Sequence, residues 1–185
     1  RLKHTGPKGE VKKELPKGGF PEAFKAMLAE LTAKETGVIS GAGGVSVVAH
    51  RVVHGGSKFS SATVITQQVL ADIEALSVFA PLHNPHNLEG MREAMKYFPD
   101  VPHVAVFDTA FHQTLPTYAY LYGLPYDWYK KEGIRRYGFH GTSHRFVSLK
   151  ASEVVKRPLG ELEIISCHLG VGASICAIDH GRSVD

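Results

Sequence analysis

Sulfur is scarce in this chain: 185 residues carry two cysteines and three methionines. Two thiols cannot staple a small secreted fold, so stability must come from apolar burial, and the cysteine usage fits a reducing compartment. Cys167 and Cys176 lie nine apart around a glycine-rich turn. Two buried free thiols is the expected state, and a disulfide across the turn is the alternative. Long apolar runs are also missing. None approaches the roughly eighteen residues of a membrane span, and Arg1 to Phe20 holds no apolar stretch of a secretory leader. No membrane association is expected, and a cytoplasmic location is. An excess of one charge sign is absent too: 21 Lys and Arg against 18 Asp and Glu leave +3. Much of that excess sits in Lys3, Lys8, Lys12, Lys13 and Lys17, among glycines and prolines, and residues 1–19 read as a basic loop or arm. Its cations are neither interleaved with aromatics nor set on one helical face, so nucleic acid is not an expected partner. No internal repeat or low-complexity segment is visible.

What is present reads as alternating helices and strands. Phe20 to Glu35 has a helical apolar stripe of Phe24, Met27, Leu28 and Leu31, with Pro21 in its first turn and Gly37 as its stop. Val45 to Val53 is a β-branched run and predicts a buried strand. Thr63 to Phe79 predicts a helix. Asn87 is placed to cap a second helix, Leu88 to Phe98. Val101 to Phe107 predicts another strand. Strand, helix, helix, strand in that order points to an α/β layer with parallel pairing. Tyr118 to Lys131 is aromatic-rich and helical in part. Thr142 or Ser143 caps a helix reaching about Val155. Leu162 to Leu169 and Ser174 to Ile178 predict two strands of a hairpin, with a further strand expected after the turn at His180 to Ser183.

Chemistry concentrates in a few blocks. The densest is Arg136-Tyr137-Gly138-Phe139-His140-Gly141-Thr142-Ser143-His144. A structural turn needs Gly, Asn, Pro or Asp, not two imidazoles beside an arginine. These side chains supply donors suited to an anion, and the glycines allow close backbone approach. His50-Arg51-Val52-Val53-His54-Gly55-Gly56 ends a predicted strand, and Asp108 ends the next. Ligands of open α/β sheets gather beyond such strand ends. Arg51 and Asp108 therefore either face one crevice or form a structural ion pair. His83 and His86 have no third metal ligand at a usual spacing. His140 and His144 lack the glutamate of a HExxH zinc site. The Walker pattern and the protein-kinase catalytic loop are missing as well. His168-Leu169-Gly170-Val171-Gly172-Ala173-Ser174 joins two strands, and its backbone amides could cradle phosphate.

Together the blocks HRVVHGG (His50 to Gly56), APLHNP (Ala80 to Pro85), VFDTAFHQ (Val106 to Gln113), YGFHGTSH (Tyr137 to His144) and SCHLGVGASICAIDHGRSVD (Ser166 to Asp185) resemble the acetate kinase family. They occur in family order and span nearly all of the chain beyond the basic arm. The resemblance implies an α/β actin-like ATPase (ribonuclease H-like) fold. Residues 20–112 would be the remainder of a first domain and 113–185 the start of a second, with the chain an internal piece. It implies reversible phosphoryl transfer between ATP and acetate, giving acetyl phosphate and ADP, with Mg²⁺ as cofactor and a homodimer as the assembly. Asp108, His140 and Arg51 would be catalytic. Arg51, Val53, Leu82 and Phe139 would bind the substrate, and His168, Leu169, Gly170, Val171 and Gly172 the nucleotide phosphates. No metal ligand is assigned within this chain. Val171 replaces the Asn usual in the family's HLGNG, and His86 a frequent Pro. Alternatives are a kinase of propionate or butyrate, one using pyrophosphate, and a non-catalytic remnant of the fold.

Overall fold

A computed structural model describes residues 1–6, 9–15 and 19–185. The basic arm is more ordered than the sequence suggests. β1 (Leu2–Gly6) and β2 (Gly9–Lys13) pair as an antiparallel hairpin; Lys8 and Lys17 lie outside the described residues. His4 and the Lys13–Glu30 ion pair tie the hairpin to the far end of α1 (Phe20–Leu31), where His4 Nε2 lies 2.7 Å from the Thr36 carbonyl. Alternating half-buried and exposed residues give β1 its period of two.

The expected parallel pairing is present. β3 (Val48–Val52) and β5 (His103–Phe107) run parallel, with Arg51 opposite Val106 and Val52 opposite Phe107. Two residues before the next helix depart from expectation. Thr63 and Val64 form β4, antiparallel to β5, and the helix begins only after Thr66. The reason is local: the Thr66 hydroxyl accepts from the Val69 N–H at 3.2 Å and fixes the start of α2 (Gln67–Ala75). Asn87 is likewise not a cap. α3 (Asn84–Tyr97) starts a turn earlier, with Pro85 in its first turn. Asn87 instead reaches sideways, and its Oδ1 accepts from the Val53 N–H at 3.1 Å.

Val52, Ile65, Val69, Ile73, Leu88, Met91 and Phe107 form the core between the sheet and α2–α3. The Phe59 ring stacks on Phe107 at 4.3 Å. After β5 come a 3₁₀ turn (Ala110–Thr114), α4 (Thr117–Tyr120), α5 (Tyr126–Glu132) and α6 (Gly141–Val155). β6 (Glu163–Leu169), β7 (Ala173–Asp179) and β8 (Arg182–Ser183) close the chain as an antiparallel meander. Both cysteines are free, but only Cys176 is buried. Register explains why: Cys176 pairs with Ser166 and Cys167 with Ile175, so the two thiols face opposite sides of the hairpin. Among the described residues no helix is long and apolar enough to cross a membrane.

Candidate active site

A cleft of about 940 Å³ opens where β3, β5 and the entry to α6 converge. Each edge has a sequence reason. β3 ends with Arg51 and Val52, after which Gly55 passes so close to Phe107 that a Cβ there would lie 2.8 Å from the ring. Asp108 directly follows the last residue of β5, Phe107. The Gly141 N–H donates to the Asp108 carbonyl at 2.9 Å. A Cβ on Gly141 would sit 2.3 Å from that oxygen, so only glycine lets α6 start this close to the strand end. α6 is therefore not capped by Thr142 or Ser143. Its N-cap is His140, held at φ 55 in the left-handed region. A non-glycine residue there is uncommon and marks a position that the surroundings over-determine.

Arg51 and Asp108 meet as a bidentate pair. Arg51 Nε donates to Oδ1 at 3.0 Å, and Nη2 donates to Oδ2 at 2.7 Å. The Asp108 side chain is 2% exposed, whereas that of Arg51 is 62% exposed. The buried carboxylate thus anchors one edge of the guanidinium and leaves the other N–H groups facing the cleft. This contact raises the Arg51 pKa. Val53, Leu82, Phe139 and His140 line the same cleft, so six of the residues expected at a site converge there. His168 joins from β6, its ring stacked on His140 at 4.0 Å. Gly172 lies against the same imidazole: a Cβ there would be 3.2 Å from Cε1 of His140. Leu169, Gly170 and Val171 are exposed on the turn and do not line this cleft.

Several groups escaped the sequence reading. Ser174 lies between His140 Nδ1 (3.0 Å) and His144 Nε2 (2.7 Å). Ser166 meets His144 Nδ1 at 3.0 Å, Ser143 meets His168 Nδ1 at 2.9 Å, and Ser183 meets His112 Nδ1 at 2.8 Å. The serines lie as far as 71 residues from their histidines, so local spacing carries no signal. Arg135 also borders the cleft, beside Arg136, which the sequence motif already named. Arg135 lies 3.7 Å above the Tyr120 ring, and Arg136 pairs with Asp185.

Burial sets the charge of the imidazoles. It lowers His140, with His168 adding to the effect, and keeps the ring neutral near pH 7. Burial pushes His54 and His144 down to about 4. His112, His140 and His168 add to the shift at His144. His54 is packed by Phe79, Tyr137 and Phe139, and its Nδ1 accepts from the Gly56 N–H. Between about pH 4 and pH 6.5 the unfolded chain binds protons at these two positions that the folded chain rejects. Their contribution to stability is therefore complete above pH 6.5 and is lost as pH falls toward 4. Thermal midpoints measured across that window should decline toward acid, with a shallower slope in His54→Gln. An unchanged slope would mean that His54 takes up protons in the fold as readily as in the unfolded chain.

The chemistry of the cleft is that of anion recognition. A half-fixed guanidinium and a neutral imidazole face an apolar corner of Val53, Leu82 and Phe139. Asp108 is the one carboxylate among the lining residues, and Arg51 occupies both its oxygens. Among the described residues no group of three or more His, Cys, Asp or Glu could hold a metal ion.

Comparison with known proteins identifies the family of the chain. The sequence profile of the acetokinase family matches residues 2–185. The chain is 51% identical over 176 residues to the acetate kinase of Carboxydothermus hydrogenoformans, covering 95% of this chain and 44% of that protein. It is 52% identical over 175 residues to the acetate kinase of Thermotoga maritima, with 95% and 43% covered. Its fold matches the crystal structure of Porphyromonas gingivalis acetate kinase with a TM-score of 0.88 at 44% identity, covering 99% of this chain and 46% of that one. A propionate kinase from Francisella tularensis matches with a TM-score of 0.88 at 40% identity, covering 96% and 44%. The chain thus spans less than half the length of the relatives it matches. With its ordered sequence blocks, its α/β fold and a profile match along nearly its whole length, the chain belongs to the acetokinase family.

Proposed function

We propose that this chain forms the carboxylate-binding side of an acetate kinase, which transfers a phosphoryl group directly between ATP and acetate. The observation that carries the reading is the Arg51–Asp108 pair at the strand ends, facing the same cleft as His140 and the apolar corner. Acetate docks its carboxylate on the free N–H groups of Arg51, and its methyl meets Val53, Leu82 and Phe139. A carboxylate oxygen forms the new P–O bond as the bond to the ADP oxygen breaks. His140 donates a hydrogen bond to the moving phosphoryl group, and Arg51 neutralises charge on it. Such transfers depend mainly on positioning and charge stabilisation. Asp108 acts by holding Arg51. The turn from His168 to Gly172 borders the nucleotide phosphates, in keeping with its backbone amides and its contact with His140.

The domain division at 112/113, a magnesium-bound nucleotide, a cytoplasmic location and a homodimer belong to the same proposal and rest on the family resemblance. The donor pocket is assigned to sequence beyond these motifs. The 185-residue chain by itself is therefore expected to form no acetyl phosphate.

The propionate kinase match makes acyl length the main open choice, and Val53 tests it. In a full-length protein carrying this segment, Val53→Ala removes two methyl groups from the corner. One added CH₂ buried there is worth about 0.8 kcal/mol, and pockets discriminate one methylene by about 1–3 kcal/mol. The propionate-to-acetate ratio of kcat/KM should then rise by roughly three- to tenfold. Steady-state kinetics on both acids checks this, and an unchanged ratio would remove Val53 from the pocket wall.

A further inference from the structure

Beyond the cleft, the His–Ser contacts form one continuous chain from solvent to core: His140, Ser174, His144, Ser166. We infer that this chain is a directional hydrogen-bond relay that fixes the tautomer of His140, with Ser174 and His144 as positioning residues for the transfer step. The inference rests on the role given to His140 above and adds what that role requires.

The requirement is a matter of counting protons. A neutral imidazole has one donor nitrogen and one acceptor nitrogen. To donate to a phosphoryl oxygen from Nε2, His140 must accept at Nδ1. Ser174 has one hydroxyl proton and two neighbouring imidazoles. It can give that proton to His140 Nδ1 only if it accepts from His144 Nε2–H. His144 must then accept at Nδ1, and Ser166 must donate to it. Every member is satisfied in this arrangement: Ser166 to His144, His144 to Ser174, Ser174 to His140, and His140 to the cleft. No proton leaves the chain, and no ring carries charge.

The opposite direction is disfavoured at the buried end. Ser166 is 3% exposed. Among the described residues its hydroxyl meets one hydrogen-bond partner, His144. If His144 Nδ1 were the donor, the Ser166 proton would be buried with nothing to accept it, and unsatisfied buried donors are costly. The core therefore fixes His144 as donor to Ser174, and with the Ser174 proton given to His140 Nδ1 the donor emerges at His140 Nε2. The ring is also held mechanically. His168 stacks on one face, and His140 itself is the left-handed N-cap of α6. Acidic conditions would break the relay, because a doubly protonated ring has no acceptor nitrogen. The groups that bias these rings are His168, Asp108 and Arg51 at His140, and His112, His140 and His168 at His144. Burial, the largest influence on both, keeps them neutral.

The experiment uses full-length protein carrying this segment, selectively ¹⁵N-labelled at histidine, with Ser174→Ala, Ser174→Thr, Ser166→Ala, the double Ser166→Ala/Ser174→Ala variant and His140→Ala as reference. Ser174→Ala should lower kcat by roughly tenfold or more while the KM for acetate shifts less than about twofold. The ¹⁵N signals of His140 should move from an Nε2–H tautomer toward a mixture. Ser174→Thr keeps the hydroxyl and should restore both readouts. Ser166→Ala, remote from the cleft, should lower kcat in the same sense, and the double variant should be no worse than Ser174→Ala alone, as members of one chain are non-additive. Additive losses, or an unchanged His140 tautomer in Ser174→Ala, would overturn the relay. Should Ser166→Ala not fold, the two Ser174 variants and the tautomer signal decide alone. Full activity in His140→Ala would instead sink the role of His140 itself. Loss in that variant with unaltered kcat in Ser174→Ala would sink the relay only.

Discussion

Arg51→Ala in a full-length protein carrying this segment is expected to lower turnover by roughly two to three decades. The guanidinium is half committed: Nε and Nη2 are spent on Asp108, and the rest faces the cleft. That division suits a residue that must present donors at a fixed angle to a carboxylate and then to a phosphoryl group. The truncation has two effects that act together. It removes a charge-assisted contact whose strength grows as negative charge shifts in the transition state, and it leaves Asp108 buried without its cation. Arg51→Lys separates them. It restores a positive charge but not the planar fork, so it should recover binding of the acid better than turnover. Steady-state kcat and KM for acetate on the three proteins decide the matter. Near wild-type kcat in the alanine variant would end the assignment of Arg51 to the site.

The runs Val45 to Val53 and Val101 to Phe107 mark strands by their apolar and β-branched character, but the strands are shorter, Val48–Val52 and His103–Phe107, and the first is fully buried only at Val52. Parallel pairing followed from the intervening helices. Arg51 and Asp108 could be placed at strand ends because Arg51 lies near the end of its run and Asp108 directly follows the other. The hairpin at residues 2–13 was not legible. Its strands are half-buried at best, most of their exposed positions are Lys and Glu, and their glycines read as loop. Caps were misread for a different reason. Asn87, Thr142 and Ser143 have cap-forming side chains, but each lies just inside a helix whose start is fixed by something else: Pro85 at α3, and the Gly141 approach to Asp108 at α6. Freed from capping, Asn87 holds the Val53 backbone and Ser143 holds His168. Residues that look like local punctuation thus serve the cleft. That exchange is a tertiary fact, and local spacing could not reveal it.

Asp108→Asn should be nearly as damaging to turnover as Arg51→Ala, with a loss of about two decades. The reason lies in how residue 108 divides its duties. Its backbone N–H donates to the Val52 carbonyl, and its carbonyl accepts from Gly141, so the main chain joins β3, β5 and the start of α6. The side chain has a separate task, accepting both bonds from Arg51. Asparagine keeps the shape and the backbone contacts but offers one acceptor oxygen instead of two and no charge. The bidentate grip becomes a single neutral-acceptor bond, and the guanidinium is free to swing toward solvent. Turnover should therefore collapse while the thermal midpoint moves little. Gly141→Ala should do the reverse to the structure. It leaves the Arg51–Asp108 pair chemically intact but forces a Cβ against the Asp108 carbonyl, so the thermal midpoint must fall as α6 withdraws. Measuring kcat and unfolding midpoints on both variants separates the charge from the scaffold. An Asp108→Asn enzyme that keeps its turnover would show that Arg51 needs no anchor. One that unfolds as readily as Gly141→Ala would show that the carboxylate's main role is to hold the two strand ends together.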